Sequence, residues 1–279
     1  MKKKGKISSN EIGLEIGLIF MKNLLKTEHL HFGYWKEGME IDPWNLALAQ
    51  ENHSQLIISI IPENTRTILD VGCGSGILDL KLTGLGYQVD SVSPSSPLSQ
   101  NVRKLLGDEH QIFECTYENV ITDKRYDLIL FSESFQYVDI EKGLQKSAEF
   151  LNDDGSIIIC DFFRTDAPGR FLMGGGHKIS RFLEILDKSS FEKVKDIDIT
   201  KETAPNFKLI ADLLMNVGEP SWNLFIHYLD IRYPKISRFV QWKYRKKIEK
   251  MKRRYFCGMK IYEDFPIHQT YRLFQLKSK

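Results

Sequence analysis

The sequence predicts an α/β fold, a doubly wound sandwich around a mainly parallel sheet. Two observations carry that expectation. Strand and helix signals alternate from about residue 63 onward, and the strands are continuous Ile/Leu/Val runs rather than apolar-polar alternations, as in sheets covered on both faces. A third observation locates a site: the first strand runs into ILDVGCGSG, residues 68–76, where three glycines alternate with small residues. In such sheets, ligands bind beyond the carboxyl ends of the strands.

The elements follow in order. IDPWNLALAQENHSQLIISIIP opens with Asp42 as an N-cap and Pro43 at the first helical position, and Pro62 ends that helix. TILDV is a strand, GILDLKLTGLG a helix closed by glycine, YQVDSVS a strand and SSPLSQNVRKLLG a helix. QIFECT reads as a short strand, RYDLILFSES as a strand, DIEKGLQKSAEFLN as a helix, NDDG as a turn and SIIICDFF as a strand. Beyond Phe163 comes a loop, RTDAPGRFLMGGGH, then the helix ISRFLEILDKS and the strand FEKVKDIDIT. HQTYRLFQL is the final strand. The roughly 70 residues before it are too long for a structureless loop and carry apolar residues at helical spacing, so they read as a helical insertion. The expected organisation is an N-terminal helical segment (1–62), a core (63–200 with 266–279) and an insertion (201–265) that caps the acceptor.

The bulk chemistry excludes several classes. A net charge of +2 on 279 residues gives no global field for nucleic acid. The four cysteines form no C-x-x-C pair, which argues against a zinc site or disulfide framework and fits a reducing cytosol; no metal is expected. Lys2, Lys3, Lys4 and Lys6 precede an apolar stretch as in a signal peptide, but Glu15 interrupts it and no small-residue cleavage site follows. Ile12, Ile16, Ile19 and Phe20 instead recur at helical spacing. No apolar run approaches the length of a membrane span. A cytoplasmic protein is the expectation.

Three ligand classes use a strand, glycines and a helix N-terminus. Nucleoside triphosphates need G-x-x-x-x-G-K-[ST], and no Lys-Ser or Lys-Thr follows Gly76. Dinucleotides prefer G-x-G-x-x-G, whereas Gly72, Gly74 and Gly76 are spaced G-x-G-x-G. Asp70, two residues before the first glycine, repels a pyrophosphate but suits an ammonium group. S-adenosylmethionine carries an ammonium, a carboxylate and a sulfonium, and glycines let the backbone approach it closely.

ILDVGCGSG resembles the first motif of class I S-adenosylmethionine-dependent methyltransferases. YDLILFSESFQYV is similar to that family's fourth strand and following loop, and LNDDGSIIICDFF to the segment leading into its fifth strand. The resemblance covers roughly residues 30–165 and implies a seven-stranded sheet with an antiparallel last strand. HFGYW near the N-terminus and the long insertion look like the branch that methylates sterols, isoprenoids and lipid chains. It further implies that Asp70, Gly72, Cys73, Gly74 and Gly76 hold the methionine part of S-adenosylmethionine, with S-adenosylhomocysteine as product. The acid that usually binds the ribose is replaced by Ser93, with Asp90 three residues earlier, so Ser93 and Pro94 take that contact. The usual acid at the adenine is also missing, which leaves Thr116 for the amino group and the Tyr117 N–H for a ring nitrogen. Ser132 and Glu133 line the pocket.

A sulfonium is already an activated donor, so the protein mainly supplies geometry, and a base only where the acceptor loses a proton. Glu133, His177 and Tyr34 are the candidates for catalysis. His227, among Trp222, Phe225 and Tyr228, is expected to pack in an aromatic core. Around QWKYRKKIEKMKRRYF, Glu249 is the single acid among many basic residues, which suits an anionic membrane surface or an acidic substrate group. The leading reading is methyl transfer to a small-molecule or lipid-like acceptor, with peripheral membrane contact through that helix. An RNA or protein methyltransferase docking through residues 243–254 ranks below it for want of a recognisable RNA-binding module. A non-catalytic cofactor-binding protein is the third reading.

Overall fold

The computed structural model describes residues 21–169, 171, 174–256, 258 and 260–279. The expected amphipathic helix on Ile12, Ile16, Ile19 and Phe20 lies outside the described residues. Seven strands form one sheet: β1 (Thr67–Val71), β2 (Gln88–Val92), β3 (Ile112–Phe113), β4 (Tyr126–Ser132), β5 (Leu151–Arg164), β6 (Phe191–Asp198) and β7 (Gln269–Ser278). Their order is β3-β2-β1-β4-β5-β7-β6. β1 to β5 pair in parallel, and β7 lies antiparallel between β5 and β6. This is the predicted doubly wound sheet with an antiparallel last strand.

The continuous apolar runs have a direct structural reason. Successive strand residues point to opposite faces. Leu69, Ile129, Phe131, Ile157, Ile159 and Phe274 fill one apolar layer. Their neighbours Ile68, Leu128, Leu130, Ile158 and Leu273 fill the other. Helices cover both: α1 (Leu46–Ile58), α2 (Ile77–Gly84), α3 (Ser96–Leu106), α4 (Ile140–Phe150) and α5 (Ile179–Lys188). Between β6 and β7 lie α6 (Thr200–Thr203), α7 (Pro205–Leu213), α8 (Glu219–Arg232), α9 (Pro234–Tyr255) and α10 (Lys260–His268).

Four local features depart from the sequence reading. Asp42 does cap through its carboxylate, accepting from the Trp44 N–H at 2.7 Å, but it opens a 3-10 turn, Pro43–Asn45, before α1 begins. β3 is only two residues long because the Cys115 N–H turns back to the Phe113 carbonyl at 2.9 Å, and Glu114 is drawn to Arg103 at 2.6 Å. The expected turn at Asn152–Gly155 is part of β5: Tyr126 faces Leu151 and Leu128 faces Ser156, so the intervening residues bulge. Asp127 pins that bulge by accepting from Asn152 Nδ2 at 2.7 Å while also accepting from the Arg66 and Thr67 N–H groups. The aromatic core expected around His227 does not form. His227 is exposed, and Phe225 and Tyr228 are 56% and 54% exposed, because α8 has apolar residues around its circumference and, among the described residues, no layer packs over them.

One further segment matters for the site. Residues 27–35, including HFGYW, form a strap across the carboxyl ends of the strands. Backbone bonds tie Tyr34 N–H to Ala49 O (2.8 Å) and Trp35 N–H to Glu202 O (2.9 Å). Buried Asn206 grips Gly33 twice, accepting from its N–H at 2.9 Å and donating to its carbonyl at 2.7 Å. Gln50 donates to the His31 carbonyl at 2.6 Å. Asn206→Ala is expected to cost about 2–4 kcal/mol, because buried backbone groups of Gly33 lose their partners. Chemical denaturation measures this, and an unchanged midpoint would show that the strap is not anchored here.

Candidate active site

The site is built where the strand order reverses, between β1 and β4. Gly72 (φ 83°) and Gly76 (φ 85°) both adopt left-handed backbone. A Cβ on Gly72 would collide with Ser134, just beyond β4, and one on Gly76 would lie 2.9 Å from Val102 of α3. These two glycines therefore seat the loop against both neighbours. Gly74 differs: a Cβ there would meet only Leu30 of the strap, at 3.9 Å, so its backbone faces the space under the strap.

Beneath the loop lies a buried polar floor. Asp70 is 1% exposed and packs against Asp79, which is fully buried and accepts from Ser91 Oγ. Burial raises both carboxyls, Asp79 far more because Asp70 adds its charge, so Asp79 holds the proton of the pair. Asp70 Oδ1 has no protein partner. Cys73 is buried above the pair, and burial pushes its thiol well up, which makes it an inert packing residue.

The other residues named from the sequence are distributed around this loop. Ser93 is 2% exposed with its Oγ accepting from the Ser95 N–H at 3.3 Å, and Pro94 is exposed beside it. Asp90 is committed elsewhere, accepting from Lys124 and the Tyr126 hydroxyl, each at 2.7 Å. Thr116 is exposed and its Oγ1 accepts from Asn119 at 2.9 Å. The Tyr117 side chain turns into the core, paired with Ser147 Oγ at 2.9 Å, so only its backbone is available to a ligand. Ser132 Oγ is buried without a partner.

Glu133 is the chemical centre of the site. It follows β4 with φ 55°, a strained backbone for a non-glycine residue. Its Oε1 accepts from the Phe32 N–H of the strap and from the Tyr271 hydroxyl of β7, each at 2.7 Å. Because Tyr271 spends its proton on Glu133, His53 Nε2 must donate to the Tyr271 oxygen, 3.0 Å away, and Cys160 Sγ lies 3.3 Å from the same nitrogen. Burial lifts the Glu133 carboxyl to about 7 against the pull of those two donors. Asp161, at the neighbouring end of β5, is pushed to about 8 by burial despite the Gln136 N–H, with the Glu133 charge adding to the rise. His177 is not poised for proton transfer through Nε2, which donates to the carbonyls of Val138 (2.8 Å) and Phe135 (3.1 Å) and so clamps the turn after Glu133. Tyr34 is half-buried against the apolar layer beneath the strap.

A profile of the methyltransferase domain matches residues 46–256, most of the chain and all of the loops just described except the strap. The chain belongs to the methyltransferase domain family. It is an S-adenosylmethionine-dependent methyltransferase. The ubiquinone biosynthesis O-methyltransferase of Rickettsia prowazekii is 25% identical over 234 residues, spanning 76% of this chain and 88% of that protein. Among solved structures, the geranyl diphosphate C-methyltransferase of Streptomyces coelicolor superposes with a TM-score of 0.68 at 12% identity, covering 99% of this chain and all of that one. A 4+2 cyclase superposes at 0.63 and 16% identity over 95% of each chain, so the structural likeness speaks for the fold and the family match for the chemistry.

The methyltransferase's residues fit its cofactor in chemistry: bare backbone at Gly74 and, among the described residues, buried oxygens on Asp70 and Ser132 without partners suit its polar methionine end. Sequence reasoning did not find Tyr271, His53 and Asp161. Asp161, a carboxyl inside the apolar run IIICDFF, carried a readable signal, whereas Tyr271 and His53 reach Glu133 only through the tertiary fold.

The buried carboxyls set a pH dependence of stability. From about one unit above the ordinary imidazole value of 6.5, His29 and His31, held down to about 3 and 4 by burial, and His53, lowered further by burial, are almost entirely neutral in both folded and unfolded states. In that range Glu133 and Asp161 still bind protons in the folded chain but not in the unfolded one, so stability falls as pH rises through about 7 to 8. Asp161→Asn is expected to flatten this decline. Denaturation midpoints at several pH values test it, and an unchanged slope would remove Asp161 from the account.

Proposed function

We propose that this methyltransferase methylates a hydroxyl oxygen on a small, lipid- or isoprenoid-like acceptor, with Glu133 as general base. The carrying observation is the Glu133 carboxyl, strained into place beside the glycine loop with a pKa of about 7. Both of its bonds fall on Oε1, and among the described residues Oε2 accepts none, leaving it to take the acceptor proton. The names of the relatives support the acceptor class, one acting in ubiquinone biosynthesis and a structural neighbour on geranyl diphosphate.

S-adenosylmethionine, when bound, supplies an activated methyl group. The loop from Gly72 to Gly76, with Cys73 in its middle and Asp70 below, grips the methionine part. Ser93 and Pro94 contact the ribose, and Thr116 and the Tyr117 backbone the adenine. Ser132 closes the wall beside Glu133. Tyr271 keeps Glu133 oriented and holds its pKa within reach of neutral pH. His177 positions the turn behind Glu133, and Tyr34 supports the strap that keeps water from the site. Exposed Leu224, Ile231 and Trp242 on α8 and α9, flanked by Lys243 and Lys247, support contact with an anionic membrane where such an acceptor resides.

Glu133→Gln is expected to lower kcat by about 10²–10⁴-fold while S-adenosylmethionine affinity stays within a few-fold. Activity of the natural enzyme should rise with pH to a plateau above about 7, and Tyr271→Phe should move that rise to higher pH by removing a donor to the carboxylate. A flat profile would exclude Glu133 as base. Labelled methyl from S-adenosylmethionine should enter the organic extract of the source cells, and label confined to RNA or protein would overturn the acceptor class.

A further inference from the structure

A charged cleft lies beside this site. Among the described residues after β5, Arg164, Pro168, Gly174, Gly176 and Lys178 line one wall of this cleft of about 900 Å³. The C-terminal half of α9 forms the other. Lys246, Glu249, Lys250 and Arg253 line it at spacings of three and four, so one helix face turns into the cleft. Arg164 and Lys178 stand on the opposite wall.

The charges in this cleft do not balance. Six Lys and Arg residues line it against two carboxylates, Asp166 and Glu249. Both acids are already engaged: Asp166 by Lys178 at 3.3 Å and Ser180 at 3.0 Å, Glu249 by Arg245 at 3.7 Å. Lys246, Lys250 and Arg253 enter no ion pair among the described residues. The Arg164 Nε–H donates to the Gly176 carbonyl at 2.9 Å, which fixes the guanidinium on the wall with its terminal nitrogens still to spare. Gathering like charges around a cavity raises their mutual repulsion, and a bound polyanion relieves it. A planar guanidinium and clustered ammonium groups match the oxygens of a phosphate or diphosphate.

The cleft also communicates with the catalytic turn. Gly175 backs onto Gln136, whose Oε1 would lie 3.5 Å from a Cβ at that position. Gln136 Nε2 in turn donates to the Glu133 carbonyl at 3.3 Å. Gln136 therefore links the wall of the cleft to the backbone of Glu133.

We infer that this cleft binds the phosphate or diphosphate group at the anionic end of the methyl acceptor. The anion site stands on the cleft itself; that its occupant is the acceptor rests on the reading of the function above. Calorimetry with inorganic diphosphate tests it, with an S-adenosylmethionine titration run on the same protein. The natural chain should bind diphosphate, and Lys250→Ala and Arg253→Ala should each weaken binding at least about tenfold. Lys252→Ala, on α9 but not lining the cleft, should change it less than about twofold. Short-chain monomeric phosphatidic acid distinguishes the source. Competition with diphosphate that shows the same variant pattern identifies a lipid headgroup, and diphosphate binding without competition identifies a soluble phosphorylated acceptor. Absence of diphosphate binding in a protein that binds S-adenosylmethionine would overturn the inference, as would a loss in Lys252→Ala equal to that in Lys250→Ala. Loss of S-adenosylmethionine binding with diphosphate binding intact would instead overturn the functional reading.

Discussion

One carboxylate oxygen joins the parts of this protein that are farthest apart in sequence. Glu133 Oε1 accepts from Phe32, near the start of the described chain, and from Tyr271, near its end. Both donors belong to elements without their own claim on the site: the strap is held by Gln50 and Asn206, and β7 by its pairing with β5 and β6. Take away the carboxylate, and the Phe32 N–H and the hydroxyl proton of Tyr271 lose their acceptor at the same point. The left-handed backbone of Glu133 is maintained because so many surrounding contacts determine it.

That same oxygen explains how the site holds charge in an apolar setting. Burial disfavours ionisation of both Glu133 and Asp161, while backbone and hydroxyl donors recover part of what solvation would have supplied. The result is a carboxyl poised near neutrality, with a backbone N–H and a tyrosine hydroxyl as its partners. Under the glycine loop a different solution appears, with Asp79 holding the proton beside Asp70 and the loop itself presenting backbone.

The architecture was legible because the strand runs are buried on both faces, and continuous apolarity is the direct sequence trace of that burial. The glycine loop was legible for a similar reason, since only glycine fits where Ser134 and Val102 press against it. Short-range departures were not. β3 stops after two residues because of a local turn at Cys115, and the bulge in β5 depends on Asp127 from another strand. The aromatic residues near His227 read as core from composition, yet exposure depends on whether another layer lies above α8. The partners of Glu133 were hidden for the most basic reason: Tyr271 lies 138 residues away along the chain.

The antiparallel strand β7 gives the molecule a modular seam. The chain leaves the sheet after Asp198 and re-enters at Gln269, and Asp198 pairs directly with Arg272 on the neighbouring strand. Everything from α6 to α10 is thus joined covalently to the sheet at two adjacent strand ends, while Glu202 and Asn206 near its start also hold the strap. Such a unit can be lengthened, shortened or exchanged over evolutionary time without disturbing the order of the strands that cradle the glycine loop. Variation in that unit and constancy of the sheet become properties of two different stretches of one chain.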